Sequence, residues 1–464
     1  MIAELKPYAE QKDSGLAWLG QVPRHWEIKR LKHWVAINQR TLGEHTPPDF
    51  KFDYLDIGSV VTGRLATSPL HMRFADAPSR ARRLLHDGDT VISTVRTYLK
   101  AVFTVGERPR PLVASTGFAV LTPRLDTEPH YLGYTAQSEA ITNQVAAESV
   151  GVAYPGISET RLSNIVVTLP PFSEQAAIVR FLDWANGRLE RAIRAKRKVI
   201  ALLNEQKQAI IHRAVTRGLD PSVALKPSGI PWLGDIPEHW QLARACTMFR
   251  QVTRFNVEGD EPKMSMSRRY GLIRSSELSN RAAQSASSIK FSVCIPGDLV
   301  LNKYQAHNGL FGAAIERGLI TSNYSVFAPI ADLNTKFFSA LFTSPPYRTE
   351  FRMRCQGVGD GMMPLYSQAF LKTPIIIPPT TEQNEIVAHV NDATKGISEA
   401  VTRIEREIAL VQEYRIRLAT DVVTGKLDVR EAAARLPDEA PLGTVEDDAD
   451  LDEDLDIADE ETTG

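Results

Sequence analysis

With 464 residues, 43% hydrophobic and 24% charged, the chain is too long for a single core and is expected to divide into two or three domains. No window approaches the run of about 20 apolar residues that a membrane span requires. The opening MIAELKPYAEQKDSG has no basic segment followed by an apolar one, so no export signal is read and a cytoplasmic protein is expected. The net charge of -2 hides an asymmetry: 54 Lys+Arg face 56 Asp+Glu, and thirteen of those acids lie between Asp438 and Glu461 with no base among them, so the body carries +11. Such a body suits a phosphate-rich partner, DNA or RNA, and equally an acidic protein. The tail itself is low in complexity and is expected to be a disordered, solvating appendage.

In chain order, the first distinctive block is DSGLAWLGQVPRHW (13–26), which returns as PSGIPWLGDIPEHW (227–240) at an offset of 214, with Ser14, Gly15, Trp18, Leu19, Gly20, Pro23, His25 and Trp26 all recurring. LPPFSEQAAIV (169–179) returns as IPPTTEQNEIV (377–387), and AVTRGLD (214–220) as VVTGKLD (422–428), both at an offset of 208. Between these flanks, residues 30–165 and 244–373 share little beyond DGDTVI and PGDLVL. Two equivalent frames therefore hold two different inserts. A single active site does not explain that pattern; two related surfaces of different specificity do.

The inserts alternate short β-branched and aromatic runs with Gly, Asp and Pro, as in FDYLDIGSVVTG, DTVISTVRTYLKAVFTV and DLVLNKYQAHNGLFGAAI. Each is expected to be a mixed α/β globule with a twisted antiparallel sheet. Equivalent loops follow the two Gly-Asp pairs. They offer Arg96, Tyr98 and Lys100 in the first insert, and Lys303, Tyr304, Gln305, His307 and Asn308 in the second. Arg and Lys pair with guanine, Gln and Asn with adenine, and cations with phosphate, so these are the candidate DNA-contacting residues. RCQGVGDGMMPLY (354–366) has glycines that would let a ligand approach the backbone, though a flexible loop explains it equally.

After each insert a Pro-Pro pair, an expected N-cap at Ser173 or Thr381, and Glu-Gln in the first turn predict a long helix. Apolar residues then recur with 4-3 spacing at Ile178, Leu182, Ala185, Leu189, Ile193, Ile200, Leu203, Ile210 and Ala214, broken only by Lys196 and Lys207. In the second helix the series is Ile386, Val390, Ala393, Ile397, Val401, Ile408, Val411, Leu418 and Val422, with Ile404 and Arg415 in the gaps. This is the seam of a coiled coil, 37 residues or about 55 Å long in each helix. From Glu174 to Arg217 there are ten basic and four acidic residues; from Glu382 to Asp421 there are five and eight, so pairing within the chain is favoured. Gly218 and Gly425 end the helices, and DPSVALKPSG links the halves.

The three cysteines, Cys246, Cys294 and Cys355, lie far apart with no CxxC and no histidine at ligand spacing, so reduced thiols are expected and no metal site. No P-loop, HExxH or GxSxG occurs. Ser344-Pro345-Pro346-Tyr347 is similar to the motif with which amino-group DNA methyltransferases hold a flipped base, but the glycine-rich turn for S-adenosylmethionine is missing, and a helix start explains the tetrapeptide.

Taken together, SGxxWLGxxPxHW before each insert, PPxxEQxxIV opening each helix and the VTxGLD-like close resemble the specificity subunits of type I restriction-modification systems, from residue 13 to about 430. The resemblance implies an α+β fold of two globular target-recognition domains separated by an antiparallel coiled coil of two long helices, with a pseudo-two-fold internal repeat. It places the domains at 1–169 and 227–377 and the helices with their linkers at 170–226 and 378–430; the acidic tail, taken as 431–464, is an addition that the resemblance does not explain. It implies a DNA-recognition subunit, not an enzyme, with double-stranded DNA, two methylation subunits and restriction subunits as partners. No catalytic, cofactor or metal residue is assigned to this chain; S-adenosylmethionine, ATP and Mg belong to the partners. The rival readings are an autonomous methyltransferase using residues 344–347 and a scaffold without DNA contact.

Overall fold

The computed structural model describes residues 5–437 apart from 153, 256–260, 269, 279–290 and 358–362. The acidic stretch 438–464 and the middle of the 354–366 loop thus lie outside the described residues. Two long helices, Phe172–Arg217 and Thr380–Val423, dominate the chain. Among the described residues no helix is long and apolar enough to cross a membrane.

The chain forms two compact units. The first takes residues up to Lys196 and again from Arg406; the second takes Arg197–Glu405. Boundaries drawn at the repeats therefore fall inside the units, because each long helix buries its start in one core and its end in the other. Ile178, Phe181 and Leu182 belong to the first unit's core with Leu418, Val422 and Val423; Ala214 and Val215 belong to the second unit's core with Ile386. The tail bound drawn at 431 also falls inside a helix. Arg430–Ala434 is helical and Ala432, Ala433 and Leu436 are buried, since these apolar side chains precede the acidic run.

In the first unit, Glu27–Arg30 pairs antiparallel with Val166–Leu169, placing Glu27 opposite Leu169. In the second, Gln241–Arg244 pairs with Pro374–Ile377, placing Gln241 opposite Ile377. The His-Trp end of one repeated block is thereby set beside the Pro-Pro-x-x-Glu-Gln start of the next. Glu174, buried, accepts from Trp26 Nε1 at 3.1 Å and from the Tyr8 hydroxyl, and meets His25 Nε2 at 2.8 Å. Glu382 meets His239 Nε2 at 2.8 Å and accepts from Trp240 Nε1 at 3.0 Å. Gln175 and Gln383 accept from the backbone of Glu128 and Asn334, both at 2.9 Å. The helices begin at Phe172 and Thr380, so Ser173 and Thr381 lie inside them rather than at the N-cap. Their Glu-Gln pairs turn inward to the frame instead of facing solvent.

Above each frame lies a four-stranded antiparallel sheet of one order, although the inserts share little sequence. In the first unit it runs Val35–Ile37, Phe118–Pro123, Thr90–Ser93, Val102–Thr104; in the second, Phe249–Val252, Tyr324–Pro329, Leu299–Asn302, Phe311–Ala313. The first unit adds another four-stranded sheet, in which Leu112–Ser115 runs parallel to Lys51–Leu55, so its strands are not antiparallel throughout. The second adds two-stranded pieces, and its core is rich in aromatics, with Phe342 and Phe370 in ring contact with each other and each with both Phe249 and Phe311.

The long helices run antiparallel where their halves meet in each unit. In the first, Lys196 Nζ lies 2.5 Å from Glu407 Oε2 and Arg415 Nη1 3.2 Å from Glu190 Oε2. In the second, Lys207 Nζ donates to Ser398 Oγ at 3.0 Å. The two lysines that interrupt the apolar spacing thus reach polar partners on the other helix. Ile178, Leu182, Ile193, Ile200, Ile386 and Val401 are buried, and Leu189, Leu203, Val390, Ile397, Ile408 and Val411 half-buried. Ala393 is exposed and Thr394 turns inward in its place, its hydroxyl donating to Val390 O at 2.8 Å. Gly218 and Gly425 end the helices at φ of +74° and +78°, and a side chain at Gly425 would strike Pro23 and Trp26.

Removing the Glu174 carboxylate leaves the Trp26 and Tyr8 donors buried and unpaired. Glu174→Ala is expected to destabilise the first unit by about 3–5 kcal/mol. Glu382→Ala, at a more open site, should destabilise the second by about 1–3 kcal/mol. Hydrogen exchange on the full chain checks this: protection should fall in the unit carrying the substitution, and an even loss over both units would contradict it.

Candidate nucleic-acid interface

Both candidate loops start from a Gly-Asp turn. Asp89, buried after Gly88 at φ +80°, accepts from the His86 amide at 2.8 Å and lies 3.4 Å from Arg40 Nη1. Asp298, also buried, accepts from the Ile295 amide at 2.9 Å and from both Nη atoms of Arg254 at 2.5 and 3.2 Å. Arg40 and Arg254 stand 214 residues apart, the offset of the opening repeat, and the sequence reading missed both. A buried carboxylate needs such partners, and these pairs fix the strand that carries each loop.

In the first unit the loop leaves Thr90–Ser93 and turns through Thr97–Leu99, flanked by Arg96 and Lys100 in the left-handed region at φ +51° and +50°. Non-glycine residues hold that conformation only when their surroundings impose it. Here the turn is pinned: Thr97 is buried, with its hydroxyl 2.8 Å from Ser149 Oγ, and the Thr62 hydroxyl donates to Lys100 O at 2.7 Å. Arg96 and Tyr98 project outward. Lys100 is half-buried, 3.4 Å from Asn143 Oδ1.

A second segment, absent from the sequence reading, completes this lip. The Ile157 amide donates to Thr94 O at 2.9 Å, and Val150 and Gly156 exchange amide hydrogen bonds at 2.8 and 3.0 Å, folding residues 149–152 and 154–157 against the loop. Val150, Val152 and Tyr154 are exposed on it, and the Arg96 guanidinium lies 4.9 Å from the Tyr154 ring centroid. The second unit repeats the device. The Leu365 amide donates to Lys303 O at 2.8 Å and the Gln356 amide to Pro364 O at 3.3 Å.

The second loop differs in chemistry. Asn302, buried at the strand end, accepts from the Tyr304 and Gln305 amides, and Asn308 Nδ2 donates to Gln305 Oε1 at 2.7 Å. Lys303, Tyr304, Gln305, His307 and Asn308 are all half-buried. Burial pushes Lys303 below the ordinary lysine range. His307 is lowered by burial first and then by the cations Arg352, Arg268 and Arg348, and its Nδ1 is buried without a hydrogen-bond partner among the described residues. This concentration of positive charge suits an anion.

The tetrapeptide at 344–347 has no access to a base. Ser344 caps the helix Pro345–Arg354 and donates to Leu341 O at 2.6 Å, while Tyr347 is fully buried against Trp232 and Phe342. The helix-start explanation accounts for it. Cys246, Cys294 and Cys355 carry no disulfide.

His307 should titrate below the 6.5 of an ordinary histidine. Below that pH an unfolded chain takes a proton that the folded unit resists, so folding stability drops as pH falls through this window. An anion seated among these arginines would offset the repulsion and raise His307, so anion binding should tighten as pH falls. An NMR titration of His307 with and without inorganic phosphate checks both statements; no upward movement with phosphate contradicts the second.

Residues 75–197 match the family model described as the type I restriction modification DNA specificity domain. Over 233 residues the chain is 24% identical to a putative type I restriction enzyme MjaX specificity subunit of Methanocaldococcus jannaschii, covering 48% of this chain and 52% of that protein. Over 99 residues it is 29% identical to the type I restriction enzyme MjaVIII specificity subunit of the same organism, covering 21% of each. The chain thus spans about half the length, or less, of these curated relatives. In fold it is similar to a solved chain from a study of complex assembly and conformational transition of the type I R-M system, with a TM-score of 0.59 and 21% identity over 88% of this chain and 99% of that one.

Proposed function

We propose, from the premise that this chain carries a type I DNA specificity domain, that it is the sequence-reading subunit of a type I restriction-modification assembly and is not itself an enzyme. Each unit reads one half of a bipartite site in double-stranded DNA. The paired helices act as an antiparallel coiled coil that sets the gap between the half-sites, and they offer an assembly surface to two methylation subunits, with restriction subunits joining the complex. Methyl transfer with S-adenosylmethionine and ATP- and Mg-dependent cleavage belong to those partners. DNA as the partner fits a cytoplasmic setting.

The observation that carries this reading is the duplicated device: two frames of one construction, each holding a pinned loop and a returning segment at the end of an equivalent strand, but with different side chains. Arg96, Tyr98 and Lys100 form one reading surface; Lys303, Tyr304, Gln305, His307 and Asn308 form the other. Arg and Lys suit guanine edges and phosphates, while Gln and Asn suit adenine.

Removing one matched heptad from each helix, residues 191–197 and 407–413, keeps the apolar register and shortens the pair by about 10 Å. Duplexes selected from a randomised library by the full chain should then keep both half-sites but lose about three base pairs between them, at about 3.4 Å per pair. An unchanged gap rules out the ruler. Duplex binding should also weaken linearly with salt on logarithmic axes, and binding that is absent or insensitive to salt favours a scaffold without DNA contact.

A further inference from the structure

Arg96 stands apart from the other cations of the two loops. Its guanidinium makes no hydrogen bond or ion pair among the described residues, whereas Lys100 is tied to Asn143 and the second-unit lysine is half-buried. It is exposed, it springs from a backbone held at φ +51°, and it lies over the ring of Tyr154, itself 67% exposed. The ring belongs to the returning segment, which is hydrogen-bonded to the loop at Thr94 and Thr97. Backbone conformation and ring contact thus both restrict where the guanidinium can lie.

A phosphate contact does not need that restriction, because the phosphate oxygens accept hydrogen bonds from many directions and carry no sequence information. A base edge does. Stacking on an aromatic face leaves the in-plane N–H groups of the guanidinium available, and two parallel donors match the O6 and N7 acceptors that guanine shows in the major groove. Adenine offers a donor where guanine offers O6, so a fixed pair of donors rejects it.

Accepting the DNA-reading function proposed above, we infer that Arg96 is a specificity-determining residue that reads a guanine in the first half-site, and that Tyr154 is the platform that orients it. The pair forms one recognition element built from two segments 58 residues apart. Tyr154 need not touch the base. Its role is to remove the rotational freedom that would let Arg96 settle on a neighbouring phosphate.

The test is selection from a randomised duplex library by the full chain, with Arg96→Ala, Arg96→Lys, Tyr154→Phe and Tyr154→Ala beside the unaltered protein, and circular dichroism to confirm folding. The unaltered protein should enrich a two-part motif with guanine at one position of one half. Arg96→Ala should reduce the preference for that guanine by about 5- to 150-fold and leave the other half intact. Arg96→Lys should keep the salt dependence but lose most of the preference, Tyr154→Phe should retain it, and Tyr154→Ala should lose it with the salt dependence unchanged. If Arg96→Ala weakens all sequences alike and lowers the salt slope by about one, Arg96 is a phosphate contact and the inference falls while the DNA-reading function stands. If Tyr154→Ala leaves the guanine preference whole, the platform is wrong. Enrichment of no motif by the unaltered protein would sink the reading of function itself.

Discussion

Each half of the molecule closes on a carboxylate held by a tryptophan and a histidine. Glu174 is buried and Glu382 half-buried, so donors must converge on each, and they come from a repeated block whose tryptophan lies 148 residues before the glutamate in the first unit and 142 in the second. The strand after the tryptophan and the strand before the helix must pair in one register for the contact to form. Once it forms, the direction of the long helix is fixed relative to its sheet. Everything between those strands is free to vary, provided it begins and ends at the same place.

That division explains how inserts with little common sequence reach one sheet order. The flanks fix the entry and exit, the buried Asp-Arg pairs fix the strand that leads to each loop, and the returning segment closes over it through main-chain hydrogen bonds that do not depend on side-chain identity. The side chains at the tip are then released from structural duty. In the first unit Arg96 and Tyr98 point outward and Lys100 is half-buried; in the second all five are half-buried, Asn308 donates to Gln305, and arginines crowd His307.

The helical seam was legible because a 4-3 spacing can be satisfied only by a helix with an apolar stripe; that its breaks at Lys196, Lys207 and Arg415 find polar partners on the other helix was not. The displacement from Ala393 to Thr394 was not legible, since both are small and a single turn can present either. The strands of the inserts were visible in their β-branched runs. The inward turn of Glu174 was hidden for a different reason: a Glu in a first turn is ordinarily explained by the helix dipole, and its actual partners are far away in sequence. The loops after Gly-Asp announced themselves by composition. Residues 149–152 and 154–157 did not, because their place beside Thr94 rests on backbone hydrogen bonds that leave no trace in residue type.

The division of the long helices between the two units carries a consequence for synthesis on the ribosome. Every described residue of the second unit lies between Arg197 and Glu405, so that part can be completed while the chain is still emerging. The first unit begins earlier but finishes last: the Thr168 hydroxyl donates to Val423 O, 255 residues downstream, and the Asp428 amide donates to Lys6 O. Closing loops of that span is entropically slow. The nascent first half must therefore wait for Leu418, Val422 and Val423, which complete the core that holds Ile178, Phe181 and Leu182, until the end of the second helix arrives.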